Sequence, residues 1–237
     1  MERRAATGGR MRAGGYAATR MSLPATIRSR TPARVRDHPG ARAVALAVGL
    51  IPPRPMHTRA EGELLHQYAT GAHCVVEIGV YEGSSAVVFC DALSPDAELH
   101  LIDPFTDESG WTMRAGWHGT PFATKLAVRR LARGGPRVRW HVARSQDVGR
   151  AWNGRQVDLV FIDGDHSPTA CGEDWQVWHD HVRPGGAVAF HDARHGRPDG
   201  EGGVGPTQVV NKLRAQIPAG WHIGDEVDSL VVFERDA

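Results

Sequence analysis

The sequence of 237 residues is poor in the features that mark secreted, zinc-thiolate and membrane-spanning proteins. It has three cysteines, Cys74, Cys90 and Cys171, and no two of them form a CxxC pair. A disulfide-rich scaffold and a thiolate zinc site are therefore not expected, and a reducing cytoplasm fits best. The chain also lacks any run of about 18 apolar residues, the length that indicates a transmembrane helix. We predict a cytoplasmic protein that has no membrane partner.

Lysine is scarce as well, because only Lys125 and Lys212 accompany 26 arginines. The formal net charge of +1 conceals an uneven distribution. Residues 1–43 carry ten arginines against two acidic residues, whereas the rest of the chain has 18 basic and 25 acidic residues. The basic segment has no apolar period, so we predict a disordered Arg-rich leader over residues 1–43. Since the remaining body is acidic, we expect no nucleic-acid partner.

Strand and helix patterns alternate along the acidic body. Apolar runs predict strands, and segments with helical periodicity lie between them. This alternation predicts an α/β fold, namely a Rossmann-like, doubly wound and mostly parallel sheet over residues 72–237. Residues 44–71 are predicted to form an N-terminal helical segment. The predicted strands cover residues 74–78, 99–102, 138–142, 157–162, 187–190 and 229–234, with a partner for the last strand at 221–223.

Ligands of such sheets bind beyond the carboxyl ends of the strands, so the residues at those ends are the candidate site. Glu77, Gly79 and Gly83 follow the first strand, and the glycines permit a tight turn and a close approach to a ligand. Ser84 is predicted to cap the next helix. The Gly-x-x-x-Gly spacing differs from the GxGxxG of dinucleotide-binding proteins, which disfavours an NAD-dependent oxidoreductase. Glu77 suits a ligand that carries positive charge or hydroxyl groups.

Acidic and histidine side chains follow the later strands. Asp103 ends the second strand, where a carboxylate can accept hydrogen bonds from both hydroxyls of a ribose. Asp163 and Asp192 end two further strands, and two neighbouring carboxylates suit a hard cation such as Mg²⁺. His191, beside Asp192, is a better ligand for a borderline metal. His166 can act as a base near neutral pH.

These motifs, taken in chain order, give the sequence a family resemblance. It resembles the class I S-adenosylmethionine-dependent methyltransferases, and within them the small-molecule group with the pattern VVEIGxxxGxS, DGDHS and FHD. The resemblance implies a seven-stranded sheet with an antiparallel last strand, and a methyltransferase domain over residues 72–237. The matching segments are residues 75–79, 83–84, 101–105, 161–167, 174–175 and 185–192.

The resemblance also implies a role for individual residues. S-adenosylmethionine is the implied cofactor, with Asp103 at its ribose, Ser145 by its adenine and Asp163 near its amine and reacting methyl. Mg²⁺ or another divalent metal is a further implied cofactor. The implied cofactor-binding residues are Glu77, Gly79, Gly83, Ser84, Asp103, Ser145 and Asp163, the implied metal ligands are Asp163, His191 and Asp192, and the implied catalytic residues are Asp163 and His166.

The chemistry of methyl transfer requires an acceptor that is aligned with the methyl group and loses a proton. We therefore expect methylation of a hydroxyl on a small molecule, a sugar or a phenolic secondary metabolite, with His166 as the base and with metal assistance. Three alternatives remain open: a small-molecule N-methyltransferase, a metal-dependent glycosyltransferase that uses Asp163-Gly-Asp165 as a DxD motif, and a binding module without turnover. A homo-oligomer is compatible with the sequence. Two glycine-rich stretches, residues 107–121 and 195–205, are predicted loops over the site.

Overall fold

The structure, a computed structural model, describes residues 39–105, 121–132, 134–194 and 204–237. Most of the predicted leader, residues 1–38, and most of the two predicted loops lie outside these ranges. The boundary of the leader differs from the prediction, because helix α1 (Pro39–Val48) begins inside it. Ala43 and Leu46 on this helix are buried against Ala123 and Ala127. Residues 39–43 are therefore part of the folded body.

Seven strands form one sheet in the order β3-β2-β1-β4-β5-β7-β6. Neighbours from β3 to β5 pair in parallel, and β7 pairs antiparallel with both β5 and β6. The fold class is confirmed, including the antiparallel last strand and its predicted partner. The strands are β1 (Cys74–Ile78), β2 (Glu98–Ile102), β3 (Arg137–His141), β4 (Val157–Ile162), β5 (Val182–Phe190), β6 (Trp221–Val227) and β7 (Leu230–Arg235).

Helices cover both faces of the sheet, as alternating strands and helices require. The described helices after α1 are α2 (Arg59–Ala69), α3 (Ser84–Ala92), α4 (Pro121–Leu131), α5 (Ser145–Arg150), α6 (Pro168–Trp178) and α7 (Val204–Ala215), with a 3₁₀ turn at His179–His181. None of the helices in the described ranges is long and apolar enough to cross a membrane.

The two faces of the sheet carry separate apolar cores. Val75 in β1 packs with Phe89 and Phe161 on one face, whereas Val76 packs with Trp175 and Trp178 on the other. All five residues of β1 and all six of β4 are buried, the pattern of strands that are covered on both sides. The Trp175 and Trp178 side chains thus belong to the core, and both cores fix the strand ends that form the site.

Two local predictions are wrong. Ser84 does not cap α3, because Gly83 occupies the N-cap position with a φ of 85° and Ser84 is the first helical residue. The strand predicted over residues 187–190 begins earlier, at Val182, and residues 183–186 form an irregularity in its pairing with β4. Gly185 accommodates that irregularity with a φ of 72°, a conformation that glycine adopts without steric cost.

Candidate active site

The predicted site residues lie along one edge of the sheet, at the carboxyl ends of β1, β2, β4 and β5. Backbone hydrogen bonds extend the sheet just past the strands at this edge. Gly79 N donates to Ile102 O, Asp163 N donates to Ile78 O and His191 N donates to Ile162 O, at 2.8–3.0 Å. Four neighbouring strand ends are thereby held in register, as ligand-binding α/β sheets require.

Glycine is required at the two positions after β1. A Cβ on Gly79 would stand 2.1 Å from the backbone oxygen of Asp163, so the β1 and β4 ends approach too closely for any side chain. A Cβ on Gly83 would stand 2.6 Å from Cγ2 of Val128 in α4. Both glycines also have φ near +85°. The structure thus explains these two residues by the path of the backbone around the site.

Asp103 organises the loop after β1. Its Oδ2 accepts hydrogen bonds from the backbone N–H groups of Val80 and Tyr81, at 2.9 and 3.0 Å. Its Oδ1 accepts from Phe105 N at 2.7 Å. A carboxylate has about four lone-pair positions and three are used here, so capacity for one hydroxyl of a ribose remains. Asp103 therefore joins the two loops that the cofactor would contact.

Glu77 is a fully buried acid at the end of β1. Its Oε1 accepts a hydrogen bond from Ser85 Oγ, and its Oε2 has no hydrogen-bond partner among the described residues. Burial raises the pKa of Glu77 well above its ordinary value, the Ser85 bond opposes this rise, and Asp163 and Asp103 add to it. A cationic ligand would satisfy Oε2 and restore the ionised form.

Ser145 is buried at the start of α5, after β3. Its Oγ donates to Asp174 Oδ1, which also accepts from Gln146 Nε2 at 2.8 Å. Burial raises the pKa of Asp174 to about 7, and the Ser145 bond opposes this rise. Trp178 Nε1 donates to the Ser145 backbone oxygen at 3.2 Å. The place of Ser145 beside an adenine stays a prediction, and Asp174 is the residue that fixes its side chain.

Four residues form an acid–histidine cluster at the ends of β4 and β5: Asp163, His166, His191 and Asp192. His191 Nδ1 lies 3.1 Å from Asp163 Oδ1 and 3.3 Å from Asp192 Oδ2. His166 Nε2 lies 3.5 Å from Asp163 Oδ1 and 3.7 Å from Asp192 Oδ2. His191 and Asp192 are buried, whereas the His166 side chain is 39% exposed. A ligand from solvent can therefore reach His166.

The charges of this cluster stabilise one another. Burial favours the neutral forms of all four residues, but the opposite charges outweigh it. The two imidazoles hold the pKa of Asp163 well below its usual range, and His191 also lowers that of Asp192. Asp163 raises the pKa of His191 well above its ordinary value, and Asp163 and Asp192 raise that of His166. The cluster thus holds two ionised carboxylates at neutral pH.

The same cluster offers a set of metal ligands. Among the described residues, Asp163, His191 and Asp192 each present one ligand atom, and these atoms lie within 4.8 Å of one another. His191 Nδ1 is buried without a hydrogen-bond partner in the described part of the chain, although it faces two carboxylate oxygens. Once Nδ1 gives up its proton, its lone pair and the two carboxylates converge in a way that fits a divalent cation.

The structure does not support Asp163-Gly-Asp165 as a pair of metal ligands. Asp165 is exposed, and its Oδ1 accepts a hydrogen bond from Ser167 N at 2.7 Å. Asp163 instead faces His191 and Asp192. Asp165 therefore shapes the turn before α6, and the glycosyltransferase alternative loses the motif on which it rested.

Sequence reasoning missed Glu61, a buried acid on α2 whose Oε2 lies 3.3 Å from His191 Nε2. The bonds from His191, Ser229 and Thr58 outweigh burial and lower the pKa of Glu61 to about 2. The one signal in the sequence was Thr58-x-x-Glu61, a pattern typical of a capping box at a helix start. That pattern predicts a helix boundary and carries no information on a partner that follows β5.

Residues 76–193 match the family model of a methyltransferase domain. The matched range begins in β1 and ends just after the acid–histidine cluster, so it contains the strand ends described above. The protein is a class I S-adenosylmethionine-dependent methyltransferase. The matched range also contains the two glycines required by the backbone and the buried Glu77.

The methyltransferase has relatives among curated proteins and solved structures. A Mycobacterium sp. (strain JLS) protein named "Putative O-methyltransferase" is 29% identical over 172 residues, which cover 71% of this chain and 68% of the relative. The structure of cofactor-bound Rv0187 from MTB aligns with a TM-score of 0.58 at 18% identity, over 83% of this chain and 89% of that one. The O-methyltransferase TomG from Streptomyces achromogenes, solved in complex with SAM, aligns with a TM-score of 0.53 at 20% identity, over 84% and 90%. The two structures share the fold of this enzyme.

Proposed function

We propose that the methyltransferase transfers a methyl group from S-adenosylmethionine to a hydroxyl of a small molecule, a sugar or a phenolic secondary metabolite. The observation that carries this proposal is the exposed imidazole of His166 between two ionised carboxylates, at the end of β4 where the motifs predict the reacting methyl. The names of the Mycobacterium relative and of TomG support an oxygen acceptor. The buried free thiols Cys74, Cys90 and Cys171 support a cytoplasmic location.

His166 is suited to remove the proton of the hydroxyl. Its Nε2 faces Asp163 and Asp192, so Nε2 holds a proton toward the two carboxylates and Nδ1 is the atom that accepts the proton of the acceptor. The two carboxylates stabilise the imidazolium that forms, in the manner of an acid–histidine pair in other enzymes. S-adenosylmethionine supplies an electrophilic methyl group on a sulfonium when it is bound.

Divalent-metal assistance is the second part of the proposal. Asp163, His191 and Asp192 would hold the cation, which supplies a Lewis acid that lowers the pKa of a hydroxyl near it. The imidazole ligand favours a borderline first-row cation over Mg²⁺. His166 Nε2 and His191 Nδ1 lie near the same two carboxylate oxygens, so the base and the cation would stand beside one acceptor.

A methyl-transfer assay tests the proposal directly. The full chain is incubated with S-adenosylmethionine labelled in its methyl group and with panels of sugars, phenols and primary amines, in Mn²⁺ and in EDTA. We expect label on hydroxyl acceptors and a rate at least tenfold lower in EDTA. Label on amines alone would establish the N-methyltransferase alternative. Binding of S-adenosylmethionine without transfer to any acceptor would favour the binding module.

A further inference from the structure

Glu61 is a buried carboxylate whose hydrogen-bonding capacity is fully used. Its Oε1 accepts from the Ser229 backbone N–H at 2.8 Å and from Ser229 Oγ at 2.6 Å. Its Oε2 accepts from Thr58 N at 2.7 Å and lies 3.3 Å from His191 Nε2. An acid that only begins a helix needs the Thr58 contact and can remain exposed. The other partners of Glu61 are His191, which belongs to the acid–histidine cluster, and Ser229, which accepts a hydrogen bond from Asp192 of that cluster.

The contact with His191 determines which nitrogen of that ring carries hydrogen. A carboxylate ion only accepts hydrogen bonds, so His191 Nε2 must be the donor to Glu61. The His191 ring is 2% exposed and packs edge-on against Phe161, with 6.0 Å between the ring centroids. Glu61 and Phe161 thus leave the ring one orientation, with Nδ1 directed at Asp163 and Asp192.

The opposite side of the ring has the geometry of a metal ligand. Nδ1 lies 3.1 Å from Asp163 Oδ1 and 3.3 Å from Asp192 Oδ2, yet it makes no hydrogen bond with any described residue. Ligand atoms at about 2.1 Å from one cation stand roughly 3 Å from each other. The two distances from Nδ1 are therefore those of ligands that share an ion, and all three ligand atoms lie within 4.8 Å of one another.

Glu61 also supports Asp192, through Ser229. Ser229 Oγ donates to Glu61 Oε1 and accepts from Asp192 N at 3.3 Å. Asp192 has a φ of 52°, a left-handed conformation that is costly for a residue with a side chain. The hydrogen bond from its backbone N–H to Ser229 helps to hold that conformation. One buried acid thereby fixes both of the ligands that follow β5.

We propose that Glu61 is a positioning residue for a first-row divalent cation, because it orients His191 through Nε2 and Asp192 through Ser229. The inference rests on the metal-assisted function proposed above. It extends that function to a residue on α2 that touches neither the cation nor the acceptor. Carboxylates that orient histidine ligands in this way are a general device of metal sites, and their loss costs about 10- to 100-fold in metal affinity.

Mn²⁺ binding to the full chain tests the role of Glu61, without S-adenosylmethionine or an acceptor. Free Mn²⁺ is measured by electron paramagnetic resonance for the unaltered protein, for Glu61→Gln and for Glu63→Gln. Glu63 is the matched control, because it lies on the same helix with its side chain 47% exposed. We expect about 10- to 100-fold weaker Mn²⁺ binding for Glu61→Gln and no change for Glu63→Gln. Equal affinities in all three proteins, or no Mn²⁺ binding by the unaltered protein, would overturn the inference.

A second measurement on the unaltered protein covers the case in which Glu61→Gln does not fold. The ¹⁵N resonances of the His191 ring are assigned by comparison with His191→Gln and followed as Zn²⁺ is added. We expect a hydrogen on Nε2 and a shift of the Nδ1 resonance on Zn²⁺ binding. A metal-induced shift at Nε2, or none at either nitrogen, would contradict the proposal. Separate calorimetry with S-adenosylmethionine distinguishes this failure from a failure of the methyl-transfer function.

Discussion

The site has two halves that are built in different ways. The cofactor half, the ends of β1 and β2 where we propose that S-adenosylmethionine binds, is held largely by contacts close in the sequence. Asp103 binds the N–H groups of Phe105 and Val80, and Glu77 binds Ser85, over 2 to 23 residues. The reaction half, where we propose that methyl transfer occurs, is the acid–histidine cluster at the ends of β4 and β5, and Glu61 contacts it from α2. That residue lies 130 positions from His191 and 168 from Ser229. Motifs predict residues of both halves, whereas the contacts of Glu61 form only when distant segments of the folded chain meet.

The largest expected effect separates catalysis from cofactor binding. His166→Ala should lower the turnover number about 100- to 10,000-fold, the range typical of the loss of a general base. The affinity for S-adenosylmethionine should change less than threefold, because the exposed ring belongs to the reaction half alone. Steady-state kinetics on a hydroxyl acceptor and calorimetry with the cofactor supply the two numbers. Losses of equal size in both would show that the two halves are not separable.

The second-largest expected effect is the pH dependence of stability that His100 gives to the sheet beneath the cofactor half. His100 in β2 is buried against Trp152 and stacks on His141, with 5.2 Å between the ring centroids. Burial lowers the pKa of His100 to about 4. Since an unfolded histidine has a pKa near 6.5, the unfolded chain binds the extra proton between pH 6.5 and 4. The contribution of His100 to the free energy of unfolding is therefore complete above pH 6.5 and falls toward pH 4, by about 3 kcal/mol at most. His100→Phe keeps the aromatic packing and removes the titration.

Urea unfolding of the unaltered protein and of His100→Phe at several pH values measures that contribution. The variant should lose less stability than the unaltered protein on going from pH 7 to pH 4.5. Parallel losses in the two proteins would mean that His100 is not held neutral by the sheet.

The smallest effect concerns the support of the cofactor half by α1. Arg42 makes two hydrogen bonds of 2.6 Å to Glu82, a buried residue next to Gly83, and Arg54 N donates to the same carboxylate at 2.7 Å. Arg42→Ala should weaken S-adenosylmethionine binding about three- to tenfold, since it leaves a buried carboxylate with fewer partners. Removal of residues 1–38 should leave the affinity unchanged. Calorimetry on both proteins checks this, and a large loss from the truncation alone would place a cofactor contact in the leader.

Much of the cofactor half was predictable because its signals are local. Apolar runs of four to six residues gave the strands, and an acid or glycine at each strand end gave Glu77, Gly79 and Asp103. The leader boundary at residue 43 was wrong because Ala43 and Leu46 are buried by α4, a contact that composition does not reveal. The Ser84 cap was wrong because the φ of Gly83 places that glycine at the cap. Glu61 was missed because its distant partners, His191 and Ser229, lie just after β5 and just before β7.

The most direct test of the account is calorimetry of S-adenosylmethionine binding to the unaltered protein, to Asp103→Asn and to Asp147→Asn. Asp147 is the control, because it is an exposed acid on α5. We expect binding by the unaltered protein, at least tenfold weaker binding by Asp103→Asn, and no change for Asp147→Asn. A folded protein that does not bind S-adenosylmethionine, or an Asp103→Asn variant that binds it as well as the unaltered protein, would contradict the account.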